Sequence, residues 1–300
     1  MAVAATGFFD GVHLGHRAVL GRMCAIARSG GEESVVVTFW PHPRSVLQQD
    51  ADKLRLLTTL EEKRALCRAC GVDRFEILPF SREMSRLSAE RFVCEYLRDR
   101  FGVTTLVVGY DHRLGHDSFE TVEVMMEAIR RCGVEPVRVD ELPMPAGAEA
   151  YGKAVSSTAV RRALEQGDVA ASRQMLGYDY GLRGVVVAGN RIGRAIGFPT
   201  ANMQLYEPLK LVPADGVYAV DVDVLGERWK GVCNIGVRPT VGLGGGRTIE
   251  THILGFDQDI YGLDLEIRFR GRLRDERRFG SLEALKAQLA EDCKKVREIV

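Results

Sequence analysis

Gly7-Phe8-Phe9-Asp10-Gly11-Val12-His13-Leu14-Gly15-His16 follows a short β-rich run over residues 3–6 and leads into a helix-period segment over 17–28. Strand, glycine-bearing loop and helix in that order set the loop at the carboxyl edge of a sheet, where open α/β folds bind ligands. Free backbone N–H groups and the positive end of the helix dipole face an anion there. Gly7, Gly11 and Gly15 permit tight turns and close approach of phosphate. His13 and His16 share one face of the first helical turn, and imidazole N–H groups donate hydrogen bonds to phosphate oxygens. Taken alone, the same residues also describe a capped helix with two surface histidines, and Asp10 a turn or capping residue.

Outward from this stretch, strands are expected over 34–39, 75–78, 105–109 and 136–139, and helices over 60–70, 89–100 and 119–132. That alternation is the pattern of a parallel sheet covered by helices. Thr59 and Glu62 have capping-box spacing, and Gly71 and Gly133 suit the ends of their helices. The proline- and glycine-bearing stretch 142–150 is a loop, and helical segments 158–166 and 169–176 come after it. The period then changes to two. Strands are expected over 183–188, 217–224, 228–235, 248–256 and 264–270, closing into a small barrel. The glycine run 242–246 connects two of them. A final helix over 281–299 directs Leu282, Leu285 and Leu289 at the barrel. The fold class is therefore α/β: a Rossmann-like domain over 1–178, then a small antiparallel β-barrel with a C-terminal helix over 179–300.

A second constellation lies in the barrel half. No G-x-x-x-x-G-K-[ST] occurs in the chain, so phosphate is not held by a Walker-type cradle. Instead, a strand leads into a loop carrying Gly189, Gly193 and Arg194, and Pro199-Thr200-Ala201-Asn202 comes next. The Thr200 hydroxyl and the Asn202 amide carbonyl are hard oxygen ligands of the kind Mg²⁺ accepts beside nucleotide phosphates. Without context the same four residues are a turn.

Composition narrows the partners. Forty-one basic and forty-one acidic residues leave no net charge over 300 residues, which removes the electrostatic pull of a nonspecific nucleic-acid binder. No leader pattern is present, and no apolar run approaches the ~18 residues of a membrane span. A cytoplasmic enzyme with no membrane partner is expected. The seven cysteines show neither zinc-site pairs nor secreted-scaffold density, so free thiols are expected, with Cys67 and Cys70 buried or half-buried in a helix.

Both constellations, with Thr38-Phe39-Trp40-Pro41-His42-Pro43, Leu56-Leu57-Thr58-Thr59-Leu60-Glu61-Glu62-Lys63, Val107-Val108-Gly109-Tyr110-Asp111 and Val155-Ser156-Ser157-Thr158-Ala159-Val160-Arg161, resemble the bacterial bifunctional riboflavin kinase/FMN adenylyltransferase (FAD synthetase) family. So do Asn234-Ile235-Gly236-Val237-Arg238-Pro239-Thr240, the stretch 250–262 and the tail 273–279. The resemblance implies a nucleotidyltransferase domain in the first half and a flavokinase domain in the second. It implies that riboflavin and ATP give FMN and ADP in the barrel, and that FMN and ATP give FAD and pyrophosphate in the α/β domain. His13 and His16 would contact ATP phosphates together with Gly7, Asp10 and Gly15, while Ser157, Thr158 and Arg161 would close over them and Asp111 would lie near the nucleotide. Pro41, His42, Pro43 and Arg44 would border the flavin. In the barrel, Gly189, Gly193 and Arg194 would hold ATP, Thr200 and Asn202 would bind Mg²⁺-ATP, and Glu250 would act as the general base. After Gly115 the family often carries a further Arg and Gly, whereas this chain has His116-Asp117-Ser118. His112 and His116 receive no role. An adenylyltransferase for another acceptor, with a noncatalytic barrel, and a flavin carrier without catalysis are the rival readings.

Overall fold

β1 (Ala2–Thr6) is buried along its whole length, as a strand covered on both faces must be. In the computed structural model, which describes residues 1–47, 54–110, 112–116, 119, 121–189, 193, 197–237 and 247–299, β1 pairs in parallel with β2 (Glu33–Trp40) and β4 (Val103–Gly109). β3 (Arg74–Pro79) and β5 (Glu135–Val139) complete a sheet of order β3-β2-β1-β4-β5. Strand order reverses between β1 and β4, so the loops leaving their carboxyl ends diverge and open a crevice. The loop over residues 7–13 begins there.

Alternation along the strands sorts the core into two layers. Ala2, Ala4, Val35, Val37, Leu106 and Val108 face one way. They pack on α4 (Ala89–Arg91), the π-helical stretch Phe92–Arg100 that continues it, and α5 (Val122–Arg131). Val3, Ala5, Val36 and Val107 face the other way and meet α1 (Leu14–Gly30) and Cys67 of α3 (Leu60–Ala69). A short α2 (Pro43–Leu47) follows β2. The capping box at the start of α3 is complete: Glu62 N donates to Thr59 Oγ1 at 3.1 Å and Thr59 N donates to Glu62 Oε2 at 2.9 Å.

The cysteine expectation needs one correction. Cys24, Cys67, Cys70, Cys233 and Cys293 are free, but Cys94 and Cys132 form a disulfide with Cα atoms 5.3 Å apart. The π-helical stretch and the end of α5 cover the same sheet face, and that neighbourhood is invisible from a sequence separation of 38.

Two compact units result, residues 1–144 with 152–157 and residues 145–151 with 158–300. In the second, α6 (Ser157–Glu165, from Thr158 onward) and α7 (Val169–Leu176) precede a closed barrel. Its order is β10-β7-β6-β11-β8-β9. The strands are β6 (Gly181–Val187), β7 (Ala201–Leu205), β8 (Gly216–Val224), β9 (Glu227–Val237), β10 (Arg247–Ile253) and β11 (Asp264–Arg274). β7 was not expected: Ala-Asn-Met-Gln-Leu does alternate apolar and polar residues, but it is only five residues long and follows directly on the turn-like Pro199-Thr200. It pairs with β6 and β10. The glycine run 242–246 lies outside the described residues.

α8 (Leu282–Glu298) packs on the barrel through Cys293 and Val296, while Leu285 and Leu289 are half-buried and line a cavity and Leu282 is 56 % exposed. Ser281 caps this helix by accepting from Ala284 N. Leu282 therefore sits in the first turn, ahead of the seam. One ion pair fastens α8: Arg274 Nη2 lies 2.7 Å from Oδ2 of the fully buried Asp292, and Gln288 Nε2 donates to Asp292 Oδ1 at 2.7 Å. Asp292→Ala strands the guanidinium in a half-closed apolar setting and is expected to cost the barrel about 3–5 kcal/mol. Urea unfolding followed by Trp229 fluorescence in a Trp40→Phe background measures it.

Candidate active sites

The loop leaving β1 is held in a conformation that its side chains do not favour. Phe9 has φ 50° and Val12, β-branched, has φ 36°, with Gly11 at φ 80° between them. Non-glycine residues in the left-handed region cost of order 1–3 kcal/mol each and persist only where the surroundings over-determine them. Here the surroundings are Asp10. Its buried carboxylate accepts from Leu57 N and Thr58 N at 3.0 Å and from Thr58 Oγ1 at 3.2 Å, while Gly11 N donates back to Thr58 Oγ1 at 3.1 Å. The Asp10 carboxylate, expected among the nucleotide contacts, ties the loop to the segment before α3.

The tied loop delivers His13 to the N-cap of α1. His13 Nδ1 accepts from His16 N at 3.3 Å, which leaves the proton of a neutral imidazole on Nε2 as a donor. Gly15 makes room for this arrangement, since a Cβ there would lie 3.2 Å from His13 Nδ1 and Cε1. His16 stacks on His13 with ring centroids 3.7 Å apart and an interplanar angle of 17°. Its protonation is driven well below the usual histidine range by burial, then by the neighbouring His13, Lys63 and His112. His16 Nδ1 and Thr6 Oγ1 are buried with no hydrogen-bond partner among the described residues. Ser157 Oγ donates to Asp10 O at 2.9 Å.

Beside the loop lies a cavity of about 340 Å³. Its walls are Phe8, Phe39, Phe80, Phe92, Met84 and Leu114, with His112 and Arg113 as polar members. Of the residues expected on the flavin side, Pro43 lines it, and His42 reaches it through a ring contact with Phe8 at 4.0 Å. Pro41 and Arg44 are exposed. His112, given no role from sequence, is therefore a lining residue. His116 N donates to Leu87 O at 2.9 Å, so the departure after Gly115 folds onto the segment before α4. Thr158 is exposed and Arg161 half-buried on α6, and both group with the second unit. Asp111 and Arg194 lie outside the described residues.

In the barrel, Asn202 of β7 stands directly opposite Glu250 of β10, and Glu250 stands opposite Asn234 of β9. Residues directly opposite across an antiparallel pair share a face. Two cavities open at this ladder. One, about 410 Å³, is lined by Gly189, Pro199, Thr200, Asn202 and the chain from Phe256 to Tyr261. The other, about 250 Å³, is lined by Gly193, Phe198, Thr200, Asn234, Glu250, Arg274, Phe279, Leu285 and Leu289 among others. Thr200 borders both. The peptide before it is fixed by His252, whose Nδ1 lies 2.8 Å from Pro199 O. Gly189 leaves space for the Asn202 carboxamide, because a Cβ there would lie 2.2 Å from Asn202 Nδ2.

Comparison with known proteins divides the chain in two. Residues 1–159 match the FAD synthetase family model, and residues 176–300 match the riboflavin kinase model. A bifunctional riboflavin kinase/FMN adenylyltransferase of Pseudomonas fluorescens is 40% identical over 292 residues, and that of Escherichia coli (strain K12) is 37% identical over 291. Each alignment covers 97% of this chain and 90% of the relative. A crystal structure of a macrolide-efflux protein from Streptococcus pneumoniae superposes with a TM-score of 0.89 at 30% identity, covering 99% of this chain and 94% of that one. Among the described residues, no helix is long and apolar enough to cross a membrane.

Proposed function

The chain belongs to the bifunctional riboflavin kinase/FMN adenylyltransferase family, making FMN from riboflavin and FAD from FMN with ATP as co-substrate, and from that premise we propose how its residues divide the two reactions. The observation that carries the kinase assignment is Thr200, common to two cavities, with Glu250 in one and Asn202 in the other. ATP occupies the larger cavity, against Gly189, with Gly193 on the border of the smaller one; Arg194 keeps its nucleotide role on the resemblance alone. Riboflavin occupies the smaller one, its ring against Phe198, Phe279, Leu285 and Leu289. The Glu250 carboxylate takes the proton of the riboflavin 5′-hydroxyl as that oxygen bonds to the γ-phosphorus and the bond to ADP breaks.

Thr200 and Asn202 fit a Mg²⁺ ion that is shared with the nucleotide. They offer two neutral hard oxygens, and Gly189 keeps the Asn202 side chain close to the loop. No group of three or more His, Cys, Asp or Glu among the described residues forms a cage for a metal, so phosphate and water would complete the shell, as Mg²⁺ prefers. When bound, the ion neutralises charge on the β- and γ-phosphates.

Adenylylation asks for less chemistry. The FMN phosphate is already anionic, so it attacks the α-phosphorus of ATP without a base, and positioning and charge stabilisation suffice. His13, His16, Gly7, Gly15 and Ser157 line the triphosphate position; Thr158 and Arg161 keep their phosphate role on the resemblance alone. Asp10 serves by anchoring the loop. The aromatic cavity of about 340 Å³ takes the isoalloxazine ring of FMN, with Pro43 and His42 on its border and Pro41 and Arg44 beside them. Asp111 keeps its nucleotide role on the resemblance alone. Residues 1–178 then serve FAD formation and 179–300 FMN formation, in the cytoplasm and without nucleic-acid or membrane partners.

The test is product analysis of the full chain. Riboflavin and Mg²⁺-ATP are expected to give FMN, then FAD and pyrophosphate; excess EDTA stops FMN formation and added Mg²⁺ restores it. FMN formation that is unaffected by chelation would overturn the role given to Thr200 and Asn202.

A further inference from the structure

Lys63, on the first turn and a half of α3, is fully buried at 0 % exposure. Its Nζ has no hydrogen-bond acceptor among the described residues. Lysines are almost never fully buried unless paired, because an ammonium removed from water loses its hydration. A methionine would fill the same space without that cost. Two features compensate here. The Phe8 ring lies beneath the ammonium, with Nζ 3.5 Å from the ring centroid, a geometry in which the negative face of the ring attracts a cation. The Asp10 carboxylate supplies the nearby opposite charge.

Phe8 and Asp10 are the two residues that shape the loop after β1. Phe8 lines the aromatic cavity, and its ring meets His42 at 4.0 Å and 67°. Lys63, Phe8 and His42 thus form a column from α3 to the segment before α2. Asp10 fixes the backbone that carries the left-handed Phe9 and Val12. Among ionisable groups, Lys63 interacts with Asp10 and Cys67, and His16 with His13, Lys63 and His112.

We propose that Lys63 is a positioning residue for adenylyl transfer: its ammonium, seated on the face of Phe8 and near Asp10, holds the loop so that His13 and His16 face the triphosphate. The proposal rests on the assignment of this loop as the adenylyl site. The electrostatics agree with it. Burial brings the ammonium down to about 8 against the opposing pull of Asp10, so it is still mainly charged at neutral pH and still repels a proton on His16.

Lys63→Met in the full chain tests this. With FMN and ATP as substrates, kcat is expected to fall about 10- to 100-fold, since loss of positioning acts on the reacting geometry, with a smaller change in KM. FMN formation from riboflavin stays at its original rate and reports intact protein. The titration of His16, followed by NMR of its imidazole, moves to higher pH because a repelling charge has gone, and the acid limb of the adenylylation profile moves with it. Lys63→Arg, which keeps a cation over the ring, recovers part of kcat. Should Lys63→Met unfold the first unit, Lys63→Gln stands in: it removes the charge at similar length, so kcat falls and the His16 titration moves to higher pH as for Lys63→Met. Unchanged kcat in the variant that folds overturns the proposal. So does a fall in kcat for Lys63→Met with the His16 titration unmoved, which marks a packing role. If His16→Ala itself retains FAD synthesis, the assignment of the loop has failed instead.

Discussion

Glu250→Gln is expected to lower kcat for FMN formation about 10²–10⁴-fold, the range of a lost general base, while FMN given to the same protein still becomes FAD. The substitution keeps the shape of the side chain and its place opposite Asn202 and Asn234, so the barrel and the smaller cavity remain. What it removes is the acceptor for a proton. A primary alcohol is a poor nucleophile until that proton leaves, and the Thr200 and Asn202 oxygens are poor bases. Asn234 is occupied as well, donating through Nδ2 to Glu276 Oε1 at 3.2 Å. Chromatography of the flavins with each substrate in turn separates the outcomes. Loss of both activities would refute independent sites, and full retention of FMN formation would remove Glu250 from the mechanism.

Local patterns carried the parts of this fold that are made locally. Thr59 and Glu62 are three residues apart and satisfy one another, so their box was readable from spacing and both bonds are present. The parallel sheet was readable because short β-rich runs alternate with helix-period segments along the first half of the chain. β7 was missed although Ala201-Asn202-Met203-Gln204-Leu205 alternates: the turn chemistry of Pro199-Thr200-Ala201-Asn202 competes with so short a pattern, and the ladders with β6 and β10 hold the chain extended there. That pairing is also what brings Asn202 beside Glu250, so the kinase site was legible as residues but not as geometry.

The first site shows the same limit. His13, His16 and Gly15 stand within four residues of one another, and their grouping could be read directly. The partners of Asp10 are 47 and 48 positions away, and nothing near Asp10 in sequence separates an anchor from a ligand. Lys63 lies in the stretch 56–63, but a lysine on a helix is ordinarily solvated, and its burial over the Phe8 ring depends on the tertiary fold. A fully buried cation among aromatic rings has no local signature.

His16→Ala is expected to be the mirror of Glu250→Gln, with FMN accumulating and FAD formation reduced about 10²–10³-fold, the cost of removing one preorganised donor from a charge-stabilising site. The side chain is stacked on His13 and edge-on to Phe9, with ring centroids 3.7 and 5.2 Å away, so its deletion also loosens the ring that caps α1. A pH signature accompanies it. Burial, and then His13, Lys63 and His112, drive the His16 pKa well below 6.5 in the folded chain. The unfolded chain therefore takes up a proton first as pH falls, and binding more protons in the unfolded state means stability is lost on acidification. The contribution is fully present above about 6.5, the unperturbed histidine value, and is lost as pH drops below it towards the folded value. In His16→Ala that loss disappears, so thermal unfolding of the first unit is expected to depend less steeply on pH below about 6.5 than in the parent. An approaching triphosphate reverses the balance, since its negative charge favours the protonated ring. Unaltered FAD synthesis in His16→Ala, measured beside unaltered FMN synthesis, would remove the imidazole from the phosphate site and leave the tied loop without its proposed purpose.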